Sequence, residues 1–368
     1  MVYIVFGLIF IGLVSLMLLY IFLRAAAIPL IVKYLSLPSW LILGFCLWTL
    51  VVVGWKFGHK NTGNAAAIAE SVGMNAIGLI FIMFSAMLLV DVITGFGFFF
   101  KQYVPALRGV ALIAGLAMAV FANIQAIRQP VLTTYNLKIS NLSPELDGIK
   151  IIALSDIHLG KLIKPSWFSK VVETVNFKKP DIIVLVGDII EGREPLLESH
   201  LDLINKLKAP MGVWAVVGNH DDNYIAKGIF PIEQTNVNFL YNENKEIAPK
   251  LNIAGIEDLS FGQRSLNPID KTFQNLKEGT TIFLSHAPVK YVEAAQKGVD
   301  IMISGHTHAG QIWPFGYLVK TRYNLYKGKY DINDMALIVS RGTGTWGPRM
   351  RLWERGEIVE IMLHRADN

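Results

Sequence analysis

The stretch that decides the fold is residues 151–160, IIALSDIHLG. It opens with four apolar residues, the length and composition of a buried strand. Its character then changes at Ser155, Asp156, Ile157 and His158, with Gly160 close behind. Side chains alternate along a strand, so Asp156 and His158, two apart, point the same way. One offers a carboxylate oxygen and the other an imidazole nitrogen, at the end of a rigid element. That is a metal-ligand pair in need of further ligands. A surface Asp and a surface His beside a turn would read the same in isolation, so the decision falls to the rest of the chain.

The same grammar repeats downstream. An apolar run at 181–186 ends in Gly187-Asp188, and one at 212–217 ends in Gly218-Asn219-His220-Asp221. Residues 281–284 lead to His286, and 301–303 lead to Gly305-His306-Thr307-His308. Of the eight histidines, five stand just after such runs, and only His59, His200 and His364 fall elsewhere. Taken singly, Gly187-Asp188 could be a turn and Asn219-His220 a helix cap. Five such coincidences are harder to excuse. Further strands are expected at 135–139, 251–254, 336–339 and 357–362, with helices at 165–176 and 198–208 and a turn through 144–148. Strand, polar ligand, then helix is the pattern of an α/β fold whose crevice lies beyond the strand ends. The spacing predicts two sheets packed as a sandwich and flanked by helices.

The first third of the chain is different. Residues 2–23 and 109–127 carry no charge, nor do residues 39–55, which end in Trp40 and Trp55 where interfacial aromatics belong. A fourth run, 75–90, continues past Asp91 to residue 100. About 20 apolar residues cross a bilayer, so four spanning helices are expected within 1–130, followed by a polar domain over 131–368. The first run lacks a basic start and is followed by three more, so it is read as a span and not as a cleaved leader. Asp91, followed by Gly95 and Gly97, is expected at the membrane interface, with 93–100 lying along it.

Charge follows the same division. Residues 1–130 hold seven basic residues and two acids; subtracting these from the chain totals of 34 and 29 leaves 27 of each in 131–368. The whole excess of +5 belongs to the apolar third, where it flanks membrane segments, which argues against a nucleic-acid partner. Loops on one side would hold Arg24, Lys33, Lys101 and Arg108. The other side would hold Lys56 and Lys60, offset by Glu70, with Arg128 at the last exit. The rule that basic loops stay inside then leans towards an exported domain on a multi-pass cell-membrane protein. The single cysteine, Cys46, lies in an apolar run, which excludes a disulfide framework and a cysteine-based metal site.

D-x-H, G-D, G-N-H-D, a lone His and G-H-T-H, in that order over about 149–310, resemble the calcineurin-like metallophosphoesterase superfamily. The longer string GHTHAGQIWPFG (305–316) resembles a bacterial, membrane-attached branch. That branch includes relatives that cleave the pyrophosphate of UDP-2,3-diacylglucosamine. The resemblance implies two divalent metal ions bridged by one carboxylate. By motif position the first ion takes Asp156, His158, Asp188 and His308, and the second takes Asp188, Asn219, His286 and His306. His220 is left to act as acid or charge stabiliser, with Asp221 beside it to orient its imidazole. Imidazole and carboxylate donors without thiolate suit manganese, iron or zinc, and manganese is the expected metal. The closing segment SRGTGTWGPRM (340–350) only approximates the family's ending, so Arg351 receives no site role. Trp313, Phe315, Trp346 and Trp353 either line a lipid path or pack in the core.

The function implied is a membrane-anchored dimetal phosphoesterase. It would hydrolyse a phosphodiester or pyrophosphate of a lipid-linked substrate by metal-activated hydroxide. A tethered phosphodiesterase for a soluble substrate is the alternative, since four spans exceed what tethering needs but do not forbid it. A non-catalytic scaffold on the same fold would usually have lost ligands, and here every ligand position is filled.

Overall fold

The computed structural model describes residues 2–58, 61–191, 196–225 and 227–366; His59 and Lys60 lie outside them. The chain forms two compact units. The first comprises residues 1–127 with two short later segments, 312–314 and 347–354, and the second holds the remainder.

The first unit is built from α1 (Val2–Ala25), α2 (Pro29–Tyr34), α3 (Leu37–Val53), α4 (Asn64–Ile93) and α5 (Val104–Ile127). Among the described residues, four helical segments are long and apolar enough to cross a membrane: Gly7–Ala25, Leu37–Gly58, Asn64–Ile93 and Val104–Ile127. Most of their large apolar side chains face outward, including Leu13, Leu41, Ile113 and Leu116. In water that would be prohibitive; in lipid it costs nothing, because the surroundings are as apolar as leucine. The interior contacts use small residues. Ala119 and Ala122 of α5 pack with Ile82 of α4, Ile312, Met350 and Leu352. The backbone N–H of Arg351 donates to the Ala122 carbonyl at 2.9 Å.

Asp91, expected at the membrane interface, lies near a helix end and takes its partners from two other helices. It is fully buried near the end of α4. Arg108 reaches one of its oxygens at 2.7 and 3.0 Å. Arg24 Nε lies 2.6 Å from the other oxygen, and the Tyr20 hydroxyl donates to that same oxygen at 2.5 Å. A carboxylate among apolar helices needs such partners, because unpaired it would be expelled or neutralised. Residues 94–103 form a succession of turns, with Gly95 and Gly97 at positive φ, and not an extension of the helix.

The described residues of the second unit form twelve strands in two sheets. The first sheet runs β1 (Val131–Ile139), β12 (Glu357–Arg365), β2 (Lys150–Leu154), β3 (Ile182–Val186), β4 (Val213–Val216), β5 (Asn238–Phe239). The second runs β10 (Gly328–Ile332), β11 (Met335–Val339), β9 (Ile301–Ser304), β8 (Thr280–Leu284), β7 (Leu251–Gly255), β6 (Glu243–Ala248). β2, β3 and β4 are parallel neighbours, as are β7, β8 and β9. Alternation decides which face each side chain takes. Ile151, Ala153, Ile182 and Val184 turn inward against Ile253, Ile282 and Ile303 of the other sheet. Ile152, Leu154, Ile183 and Leu185 turn outward under α6 (Pro165–Phe177), whose Phe168, Val171 and Val175 cover them. Both faces are covered, which is why these strands read as unbroken apolar runs. Each fully buried Ile or Leu contributes roughly 1.5–3 kcal/mol, so the frame holding the strand ends is stiff. α7 (Glu198–Ile204) completes the outer layer, and α8 (Asp221–Ile225) begins directly after β4.

Candidate metal centre

The parallel strands of both sheets end on one edge, and the polar residues follow there. β2 delivers Asp156 and His158, β3 delivers Asp188, and β4 delivers Asn219 and His220. From the other sheet, β8 delivers His286 and β9 delivers His306 and His308. Asp156, His158, Asp188, His306 and His308 all have φ between 48° and 69°. Asp and His tolerate this left-handed region better than most residues, yet each instance is strained. The strain is held by backbone hydrogen bonds between the loops: Asp156 N–H to the Gly187 carbonyl, His158 N–H to that of Asp188, and Gly305 N–H to that of His286. Gly187, at φ 75°, has no room for a side chain; a Cβ there would lie 2.5 Å from His286 Nδ1.

Three groups of ligand atoms converge, each with its atoms within 4.8 Å of one another: Asp156, His158 and His308; Asp188, His286 and His306; and His158, Glu191 and His220. The first two are joined through Asp188, whose Oδ2 is 3.2 Å from His286 Nε2 and 3.8 Å from His158 Nε2. His158 Nε2 and His308 Nε2 are 3.2 Å apart, and so are His286 Nε2 and His306 Nδ1. Tautomers follow from the acceptors. A carbonyl only accepts, so His286 Nδ1–H donates to Val186 at 2.9 Å and leaves Nε2 free for a ligand role. Likewise His158 Nδ1–H donates to the Glu191 carboxylate at 2.9 Å.

These residues fit divalent cations. Imidazole lone pairs aimed at one another and at carboxylates gain little without a positive charge between them. Asn219 Oδ1 is buried and has no hydrogen-bond partner among the described residues, which coordination of a metal ion would resolve. Nitrogen and oxygen donors without thiolate suit manganese, iron or zinc.

Electrostatics separate the groups. Burial alone would raise the Asp188 carboxyl, but the charges of His286, His220 and His158 hold it well below the usual range. Burial would lower the His220 imidazole, but Glu191 and then Asp188 push it up to about 9. Glu191 itself is driven down against the effect of its burial by His220 and His158.

The role expected of Asp221 needs correction. It is fully buried, and its carboxylate turns to the backbone. One oxygen accepts from the Ile189 and Ile190 N–H groups at 2.8 and 3.0 Å, and the other from Gly218 N–H at 2.9 Å. It therefore braces the two loops carrying Asp188 and Asn219. The side chain that holds the His220 ring is Glu191, 2.8 Å from Nδ1. Glu191 escaped the sequence reading because Ile189 and Ile190 separate it from the Gly187-Asp188 motif. Ser260 was missed similarly; its Oγ is 3.3 Å from His306 Nδ1 and donates to Asp258 at 2.5 Å.

The sequence matches the calcineurin-like phosphoesterase family over residues 149–310. A metallophosphoesterase of Campylobacter jejuni is 32% identical over 273 residues, 72% of this chain and 72% of that protein. The Bacillus subtilis metallophosphoesterase YkoQ is 30% identical over 269 residues, 66% of this chain and 97% of that one. A Bos taurus transmembrane protein with a metallophosphoesterase domain is 29% identical over 281 residues, 71% of this chain but 63% of the relative's length. The chain belongs to the calcineurin-like metallophosphoesterases, metal-dependent phosphoric ester hydrolases that use two divalent ions. Its four apolar helices and its transmembrane-named relatives make it a membrane protein.

Proposed function

We propose that this protein is a multi-pass, membrane-anchored phosphoesterase that hydrolyses a phosphodiester or pyrophosphate bond of a lipid-linked substrate, with the chemistry carried by residues 131–368. The supporting observation is the convergence of eight ligand-type side chains beyond the strand ends, on a chain with four helices long enough to cross a bilayer. Asp156, His158, Asp188 and His308 would hold one ion. Asp188, Asn219, His286 and His306 would hold the second, with Asp188 between them. When bound, two divalent ions, manganese by expectation, polarise phosphoryl oxygens and lower the pKa of water towards neutrality.

The remaining roles belong to the chain itself. His220 stands outside both ligand sets, with its ring centroid 5.1 Å from that of His158. Glu191 fixes its Nδ1–H, so Nε2 is the atom that holds and gives a proton to the leaving oxygen. The His220 backbone N–H donates to Asp188 Oδ1 at 2.9 Å, which ties the acid to the bridging carboxylate. The lipid assignment is supported by the number of apolar helices, since a single span suffices to anchor a soluble catalyst. Basic residues such as Arg24, Lys33, Lys101 and Arg108 favour an exported domain.

Full-length protein in detergent with manganese tests the reading against three substrates: a generic aryl phosphodiester, an acylated nucleotide-sugar pyrophosphate, and its deacylated counterpart. Hydrolysis of the diester with a kcat/KM at least about 10-fold higher on the acylated compound is expected, the size of one extra apolar contact in the transition state. Equal rates on the last two remove the lipid assignment, and no hydrolysis of any removes the enzyme assignment.

A further inference from the structure

A half-exposed tryptophan stands next to the proposed acid. The Trp346 ring centroid is 6.0 Å from that of His220, with the planes at 67°, and the residue is 51% exposed. An indole offers a large flat apolar surface on which a ring can stack. Trp346 is held in place by its backbone. Its N–H donates to Gln311 Oε1 at 3.0 Å, and its carbonyl accepts from Gln311 Nε2 at 2.9 Å. Gln311 lies three residues beyond His308, so the clasp fixes the indole-bearing loop to a loop that also carries a ligand-type side chain. Both hydrogen bonds use main-chain atoms of Trp346 and hold its ring beside that of His220.

We infer that Trp346 forms one wall of a subsite for the leaving group, and that this subsite takes a flat, carbon-rich ring attached to the departing oxygen. The inference rests on the phosphoesterase reading of the same site. If His220 gives its proton to the leaving oxygen, the group bonded to that oxygen lies beside the His220 ring, and Trp346 is the aromatic surface there. The edge-on packing of the two rings leaves an indole face for the ligand. Stacking on it favours an aryl ring or the flat face of a sugar over a short alkyl group. Trp346 takes no part in the proton transfer; it selects what is bound.

The test is calorimetric binding to the manganese-loaded full-length protein. Methylphosphonate and phenylphosphonate share the phosphoryl head and differ in the substituent occupying the leaving position. Trp346→Ala is expected to weaken phenylphosphonate by about 10-fold and leave methylphosphonate within about 2-fold, while Trp346→Phe retains most of the preference. Trp353→Ala, which removes another exposed indole, is expected to change neither. If Trp346→Ala weakens both ligands alike, or neither, the subsite is wrong while the phosphoesterase reading stands. If methylphosphonate does not bind the wild-type protein, that reading fails and takes the subsite with it.

Discussion

Nδ1 of His220 lies 2.8 Å from Oε2 of Glu191. The same oxygen lies 2.9 Å from Nδ1 of His158, so one carboxylate sets the tautomers of an acid and of a ligand. Glu191→Gln keeps the shape but lacks the charge to hold both imidazoles. Turnover is expected to fall about 10–100-fold, the usual cost of losing a carboxylate behind a ligand histidine. His220→Ala is expected to lose about 10²–10⁴-fold while keeping its metal. The two losses should be far from additive, because Glu191 acts partly through His220. Steady-state kinetics with elemental analysis of Glu191→Gln, His220→Ala and the double variant checks this.

Asp188 sits between the two groups of ligands. Asp188→Ala is expected to lose bound metal along with activity, in contrast to His220→Ala. Exhaustive chelation should abolish hydrolysis of an aryl phosphodiester in the wild-type protein, and added manganese should restore it. Hydrolysis that survives chelation would rule out the mechanism.

Asp221 is expected to behave as a structural residue. Asp221→Ala leaves three N–H donors without their acceptor, at about 1–3 kcal/mol for each that stays dry. The measurement is the unfolding midpoint of the full-length protein. A large drop is expected for Asp221→Ala and little change for His220→Ala. Similar midpoints for the two would return Asp221 to a purely catalytic role.

His200 supplies a pH dependence from outside the ligand set. It is fully buried in α7, and burial lowers its pKa below 6.5, with a partial offset from the Ile163 backbone. The unfolded chain therefore binds the extra proton first. Stability from this residue is complete above about pH 6.5 and is lost as pH falls towards the folded-state pKa. His200→Leu should flatten that acid-side slope, read as the difference in urea midpoint between pH 7.5 and 5.5 against wild type.

The frame and the ligand set could be read from the sequence because each rests on local pattern. An apolar run covered on both faces announces a buried strand, and the residues just past its end lie at the sheet edge where the loops meet. Hence the strands ending at Leu154, Val186 and Val216, and the residues beyond them, were legible. Glu191 and Ser260 were not, because their roles depend on how one loop folds over another. Asp221 was misread for a related reason: adjacency to His220 suggested a contact, but its oxygens are claimed by main-chain donors from a loop some 30 residues earlier. β6 and β10 were missed as well. They are edge strands, only partly buried, and carry no unbroken apolar run. The partners of Asp91 were not legible either, because Tyr20, Arg24 and Arg108 come from other helices.

The packing of residues 347–354 onto α4 and α5 has a consequence for biosynthesis. A Cβ on Gly78 would lie 2.6 Å from Met350 Sδ, so the groove that receives this segment is cut closely to it. The helices leave the ribosome first, and more than two hundred residues are translated between α5 and Met350. During that interval the small-residue surface around Ala119 and Ala122 lacks its final cover. The helical unit is therefore finished only once residues 347–354 have been made. A nascent chain stalled before residue 347 should expose this surface to the insertion machinery or to chaperones, and grafting an unrelated anchor onto residues 131–368 should leave Met350 and Leu352 without a seat.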